Sequence, residues 1–181
     1  RREADPADPP YRDLVFLGGG HTHALVLRQW GMKPVQGVRV TLINPDVTAP
    51  YTGMLPGYIA GHYDRDSLDI DLVRLARFAG ARLIVGAATG IDREAKTVIV
   101  PGRPPVPYDV LSIDIGITSD LPGLPGFQQH GVAAKPLAGF AHSWETFVAR
   151  MKAENRRPNV TVIGGGVAGA ELALAMAHRL N

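Results

Sequence analysis

Leu14–Ala24 reads LVFLGGGHTHA. Four apolar residues, Leu14 to Leu17, run straight into three glycines, and a helix-like pattern, HALVLRQW, follows. A short, uniformly apolar run marks a strand buried on both faces, as in a parallel sheet. Gly18 and Gly20 lack a Cβ, so the chain can turn sharply there and its backbone can approach a ligand closely. The helix then points its unpaired N–H groups, and the positive end of its dipole, at that ligand. Such a turn suits a pyrophosphate.

Outward from this stretch, the helix is expected to run to about Trp30, with Gly31 and Pro34 stopping it. VRVTLI, residues 38–43, reads as a second strand and completes a right-handed βαβ unit that ends at Asn44-Pro45-Asp46. Near the other end the chain repeats its opening: VTVI (160–163) is an apolar strand, GGGVAG a glycine turn and AELALAMAHRL a helix. With 21 glycines in 181 residues, a GxGxxG spacing arises by chance roughly 0.3 times, so the spacing alone says little. Its context, strand before and helix after, carries the weight. Gly164, Gly166 and Gly169 complete the spacing. In the first turn Gly18 and Gly20 fit, but His23 stands at the third position, where a glycine allows close helix–strand packing. That helix must stand off slightly, or the imidazole must fill the gap. The plain alternative for both is an ordinary glycine turn between strand and helix.

Between the two turns, APYTGMLPGYIAGHY (49–63) fits neither period and is too apolar for a solvated linker. It reads as a loop or broken helix of the kind that lines ligands. A helix is expected from Asp69, its N-cap, with Leu72, Leu75, Ala76 and Ala79 on one face and Gly80 as its stop. Arg82–Val85, Thr97–Val100 and part of 106–115 read as short strands of an antiparallel meander attached to the parallel sheet. LPGLPG (121–126) is a turn-rich connector, and His142 to Glu154 a helix with Trp144, Phe147, Val148 and Met151 on one side.

Composition excludes several classes. Hydrophobic residues make up 45% of the chain, too many for disorder, and no apolar run approaches the ~20 residues that span a bilayer. A net charge of +2 without a basic stripe gives no sign of nucleic acid binding. The absence of Cys removes disulfides, thiolate metal sites and thiol redox chemistry, and fits a reducing compartment. Residues 1–10 are polar and Pro-rich, a flexible lead-in. The chain starts Arg-Arg without Met and stops one βα unit into its second glycine turn, so it is expected to be a piece of a longer polypeptide.

His21 and His23, two residues apart at a helix start, do not share a face, and no carboxylate completes a metal site. Asp64, Asp66, Asp69 and Asp71 are better explained by helix capping than by a cation. No Ser–His–Asp arrangement stands out. No catalytic residue and no metal ligand is assigned.

The order of pieces resembles the two-dinucleotide flavoproteins of the pyridine nucleotide-disulfide oxidoreductase superfamily. Beyond the turns, GAATGIDREAKTVIV (86–100) is similar to the family's strand and hairpin beside the adenine. YDVLSIDIG (108–116) resembles the family's YDxLxxATG segment, with Asp114-Ile115-Gly116 where Ala-Thr-Gly is usual. Within the superfamily the chain looks closer to type II NADH dehydrogenases and sulfide:quinone reductases than to glutathione reductase, which needs a Cys pair. GGGHTHALVL and TAPYTGMLPGYIAGHY resemble, more narrowly, the flavoprotein module fused N-terminally to selenide, water dikinase.

The resemblance implies an α/β fold: a Rossmann-like, three-layer FAD-binding domain of parallel sheet plus antiparallel β-meander, with the start of an inserted NAD(P)H-binding domain. Residues 11–140 would form the N-terminal part of the FAD domain, and 141–181 a linker helix and the first βα unit of the NAD(P)H domain. The implied reaction passes hydride from NAD(P)H to FAD and electrons on to a quinone or similar small-molecule acceptor; the cofactor carries the hard chemistry. Gly18, Gly20 and the amides of His21 and Thr22 would hold the FAD pyrophosphate. Asn44, with Asp46, would hold the adenosine ribose, and the backbone near Ala88 would contact adenine. Tyr51, Met54 and Leu55 would wall the flavin, or else pack within their loop. Gly116 would let the chain pass close to the cofactor. Gly164, Gly166 and Gly169 would take the NAD(P)H pyrophosphate, with Glu171 in its usual place on the helix. A C-terminally fused selenide, water dikinase domain is the implied partner. The implied location is cytoplasmic, peripheral at the inner membrane surface if quinone is the acceptor. The fragment itself is expected to be inactive. An alternative of another class is a non-catalytic dinucleotide-binding module that regulates or docks a fused enzyme; His23, Asn44 and Asp114, all at implied FAD contacts, favour it.

Overall fold

The structure is a computed structural model that describes residues 11–116 and 123–181. In chain order its elements are β1 (Arg12–Leu17), α1 (His21–Met32), β2 (Val38–Asn44), β3 (Thr48–Pro50), a 3₁₀ turn (Thr52–Met54), α2 (Leu55–Ala60), α3 (Arg65–Leu68), β4 (Asp69–Asp71) and α4 (Leu72–Phe78). There follow β5 (Arg82–Val85), β6 (Gly90–Asp92), β7 (Thr97–Ile99), β8 (Val106–Pro107), β9 (Val110–Ile113), α5 (Phe127–His130), α6 (Leu137–Ala153) and α7 (Val167–Leu180). They form two units: one takes the described residues up to Ala49 together with Ile70–Gly116, the other Pro50–Asp69 and the described residues beyond 116.

The first unit is built on a parallel sheet of order β5-β2-β1-β9. In β1 successive side chains leave on opposite faces, and each face has a cover. Val15 and Leu17 join Ile43, Ile84 and the meander residues Val98, Val100 and Val106 in one core. Phe16 joins Leu27, Val40, Leu42, Leu72 and Ala79 in the other, beneath α1 and α4. This is why residues 14–17 carry no polar residue: β1 lies in the middle of three layers. At the N-terminal ends of the strands, Asp13 lies opposite Arg39 in register and accepts two bonds from its guanidinium, at 2.9 and 2.8 Å.

The second unit is helical. Leu55, Tyr58 and Ile59 of α2 pack with Phe140, Trp144 and Val148 of α6 and with Leu172, Ala175 and Met176 of α7. The Trp144 indole N–H donates to the Ile59 carbonyl at 3.2 Å, which fixes α6 across α2.

Several expectations are corrected. Arg82–Val85 belongs to the parallel sheet beside β2, not to the meander, which is β6-β7-β8. A strand as short as RLIV carries no mark of its pairing direction. Helix α1 passes through Gly31 to Met32, so that glycine is no stop; a Cβ at 31 would meet the Phe78 ring, so its role is close packing against α4. Asp69 is the C-cap of α3 and the first residue of β4, and it is not the N-cap of α4. Asp71 caps α4, its carboxylate accepting from the Arg74 N–H at 2.9 Å, and Asp64 caps α3 through Ser67. Helix α6 starts at Leu137, five residues before the expected His142. VTVI, expected as a strand, has no ladder, since no strand lies beside it among the described residues. The 49–63 stretch is a broken helix, the 3₁₀ turn running into α2. Residues 1–10 and part of the LPGLPG connector lie outside the described residues.

Candidate dinucleotide site

The first glycine turn leaves β1 where the sheet divides: the next strand in sequence, β2, lies on one side and β9 on the other. Ligands of open α/β sheets bind at such a switch point, outside the carboxyl ends of the strands. Gly18 has φ +94°, and a Cβ there would strike the Asp114 carbonyl, so both its backbone conformation and its clearance require glycine. Gly20 is the N-cap of α1, and a Cβ on it would strike the Asp114 carboxylate.

Three side chains hold this turn. The Asn44 amide oxygen, buried at the end of β2, accepts from the Gly19 N–H at 2.8 Å, while its NH2 group donates to the carbonyls of Asp46 (2.8 Å) and Thr48 (3.4 Å). Asn44 therefore spends its polar atoms on the protein, and Asp46, two residues on, is exposed. His23 is 2% exposed; its Nδ1 lies 2.7 Å from the Gly18 carbonyl and its Nε2 2.8 Å from the Ser112 hydroxyl. A carbonyl only accepts, so Nδ1 carries the proton and Nε2 accepts from Ser112. The ring also rests on Phe16, centroids 4.6 Å apart. The imidazole thus fills the space that a third glycine would have closed. Asp114, just past β9, accepts the Gly20 N–H on its carbonyl (3.2 Å) and the His23 N–H on its carboxylate (3.1 Å). Its carboxylate is the cap of α1, supplied from a distant part of the chain.

His21 and Thr22 form the first turn of α1 at this edge. Ala88 is half-buried against the meander core, and the chain before it is tied to β2 by the Gly86 N–H donating to the Asn44 carbonyl at 2.8 Å. Gly116 has φ +74°, and among the described residues nothing lies within 4 Å of a Cβ built on it. Gly18, Gly20, His21, Thr22, Asn44, Asp46, Ala88 and Gly116 are thus all in the first unit. Tyr51, Met54 and Leu55 belong to the second: Leu55 is buried in its core, Met54 packs against that core, and Tyr51 is exposed, its amide bonded to the Leu68 carbonyl at 2.8 Å.

The second turn is of another kind. Among the described residues nothing lies within 4 Å of a Cβ built on Gly164, Gly165 or Gly166, whereas one on Gly169 would strike the Gly164 carbonyl. Here the third glycine does let helix and turn close on each other. Gly166 caps α7 without a side chain, which leaves the helix start to the backbone, and Glu171 is exposed on α7. A cleft of about 510 Å³, lined by Val160, Val162, Met176 and Leu180 among others, opens along α7 but includes none of these glycines.

The sequence singled out Asp114 as an anomaly but gave no sign that it caps α1, and it overlooked Ser112. The available signal was the period of two in β9: Ser112 and Asp114 share a face, and only the β1–β9 pairing shows that this face meets α1.

The turn geometry fits a dinucleotide in its backbone: glycines at a helix start, at a switch point, with Asn44 at the end of β2 and Asp46 two residues beyond it. The family model described as pyridine nucleotide-disulphide oxidoreductase matches residues 12–181. The external alternative NADH-ubiquinone oxidoreductase of Yarrowia lipolytica is 24% identical over 93% of this chain and 32% of its own length. The NADH dehydrogenase-like protein YutJ of Bacillus subtilis is 28% identical over 90% of this chain and 44% of its own. Among solved structures, an NAD-dependent persulfide reductase from A. fulgidus superposes with a TM-score of 0.75 at 24% identity, over 92% of this chain and 32% of that one. The chain thus spans between about a third and a half of the length of these relatives.

Proposed function

The chain belongs to the pyridine nucleotide-disulphide oxidoreductase family, whose cofactors are FAD and NAD(P)H, and from that premise we propose that it is part of an NAD(P)H-dependent flavin oxidoreductase that delivers electrons to a quinone-like acceptor. The observation that carries the reading is the pair of glycine turns, each at the start of a long helix, in a chain matched by that family almost throughout. The names of the relatives, an NADH-ubiquinone oxidoreductase and an NADH dehydrogenase-like protein, support the electron donor, and the first of them supports the acceptor class.

On this reading the first turn binds FAD and the second NAD(P)H, so 11–140 belong to the FAD part and 141–181 open the NAD(P)H part. FAD, when bound, supplies the two-electron chemistry. The chain's own task is to bind and orient. Gly18 and Gly20 let the backbone come close to the pyrophosphate, and the first turn of α1, with His21 and Thr22, turns its positive end toward it. Asp46 takes the ribose hydroxyls, with Asn44 fixing the turn above it. The backbone at Ala88 borders the adenine, Gly116 admits the cofactor, and Tyr51, Met54 and Leu55 are the residues assigned to the flavin. Gly164, Gly166 and Gly169 receive the second pyrophosphate, with Glu171 one turn into α7. Fusion to selenide, water dikinase is the finer form of the proposal, resting on the wording of 18–27 and 48–63. The reading places the protein in the cytoplasm or at the inner membrane surface; among the described residues no helix is long and apolar enough to cross a membrane.

A second reading, a dinucleotide-binding docking module without turnover, is favoured by one observation: the carboxylate of Asp114 at the start of α1. An absorbance spectrum of the complete natural polypeptide, before and after anaerobic NADH, tests both. Flavin bands that bleach on NADH are expected. Flavin that binds but resists NADH supports the docking module, and a colourless protein that takes up no added FAD overturns the assignment.

A further inference from the structure

We infer that Asp114 is a specificity-determining residue that sets the affinity of the first glycine turn by competing with the dinucleotide pyrophosphate for the N-terminus of α1. The inference rests on the FAD reading of that turn. Helix α1 has no acidic residue in its own first turn, and its N-cap, Gly20, has no side chain to give. Its need for a negative group is met by Asp114, whose carboxylate accepts the His23 N–H and lies so close to Gly20 that a Cβ would not fit between them. A carboxylate in this position stabilises a helix start for the reason a phosphate does: it satisfies unpaired N–H groups and faces the positive end of the dipole. The two anions therefore seek the same end of the same helix. Both cannot settle there without like-charge repulsion across a few ångströms, in a half-buried setting where water screens poorly. Asp114 is anchored through its backbone, the N–H donating to the Leu17 carbonyl at 2.8 Å and the carbonyl accepting from Gly20. The strand stays, and only the side chain can yield. Binding of a pyrophosphate at this turn thus requires the Asp114 carboxylate to rotate out. Among the described residues no such competitor meets the second turn: nothing lies within 4 Å of a Cβ built on Gly164 to Gly166.

The test is titration of the intact chain with FAD, followed by flavin fluorescence, for wild type, Asp114→Asn and Asp114→Ala, with riboflavin as a probe that has no phosphate. Asp114→Asn keeps an oxygen that can accept the His23 N–H and removes the charge, so it guards against a helix lost for want of a cap. Both variants are expected to bind FAD about tenfold more tightly than wild type, with the gap narrowing as salt is raised and riboflavin affinity unchanged. FAD binding by the variants alone, with none by wild type, supports the inference as well. Wild-type binding of FAD that is as tight as, or tighter than, that of both variants overturns the inference and leaves the FAD reading standing. No FAD binding by any of the three overturns both.

Discussion

Asn44 stands where an acidic residue is usual at the end of the second strand, and its environment explains an amide there. One oxygen must accept from Gly19 while a donor faces the carbonyls of Asp46 and Thr48. A carboxylate serves the first duty and fails the second. Asn44→Asp is expected to destabilise the fold by about 1–3 kcal/mol, from the lost donor and a negative charge set against two carbonyl oxygens. Asn44→Ala is expected to cost a similar amount by leaving the Gly19 N–H unsatisfied. Urea unfolding of the two variants checks both, and an effect below about 0.5 kcal/mol would refute the bridging role. His23 answers a parallel question. With Nδ1 donating to Gly18 and Nε2 accepting from Ser112, Ser112→Ala is expected to cost about 1 kcal/mol. Imidazole nitrogen shifts in wild type should report a proton on Nδ1.

At the scale of elements, α4 and α2 each depend on one group. Asp71 is the cap of α4, and Asp71→Ala is expected to lower stability by about 1 kcal/mol, read from the denaturation midpoint, while Asp69→Ala has no capping effect. In α2, burial pushes the Tyr58 phenol above its ordinary value, and the Glu145 carboxylate adds to this. The folded value lies above the unfolded one, so this stabilisation is present below about pH 10 and is lost as pH rises through the folded value. The unfolding free energy of wild type is therefore expected to fall more steeply above about pH 10 than that of Tyr58→Phe. Parallel slopes for the two proteins would show that Tyr58 makes no such contribution.

Across the whole molecule, the two units rest on different kinds of support. The first has a four-stranded ladder with cores on both faces. The second depends on helix packing alone, and its VTVI segment has no ladder among the described residues. Amide hydrogen exchange should separate them. The amides of β1 and β2 are expected to exchange by global opening, and those of 160–163 faster by orders of magnitude. Equal protection would show that 160–163 is paired in solution.

The amino-acid sequence by itself determined the elements whose signal is local. A run of apolar residues before glycines, an apolar stripe at helical spacing and Gly80 after Ala79 state their own conformation, because propensity and burial pattern act within a few residues. Both glycine turns and the central place of β1 could therefore be read directly, as could the family resemblance that the matched model bears out over residues 12–181. What the sequence could not state was pairing. Arg82–Val85 carries no mark of joining β2 in parallel, and Gly31 gives no hint that the Phe78 ring rests against it. Asp114 stands 91 residues from the His23 N–H that it accepts. These are contacts between segments far apart in the chain, decided by which surfaces meet when the sheet forms. Only the tertiary structure turns an aspartate after β9 into the cap of α1, because the bond exists only once β9 lies beside β1.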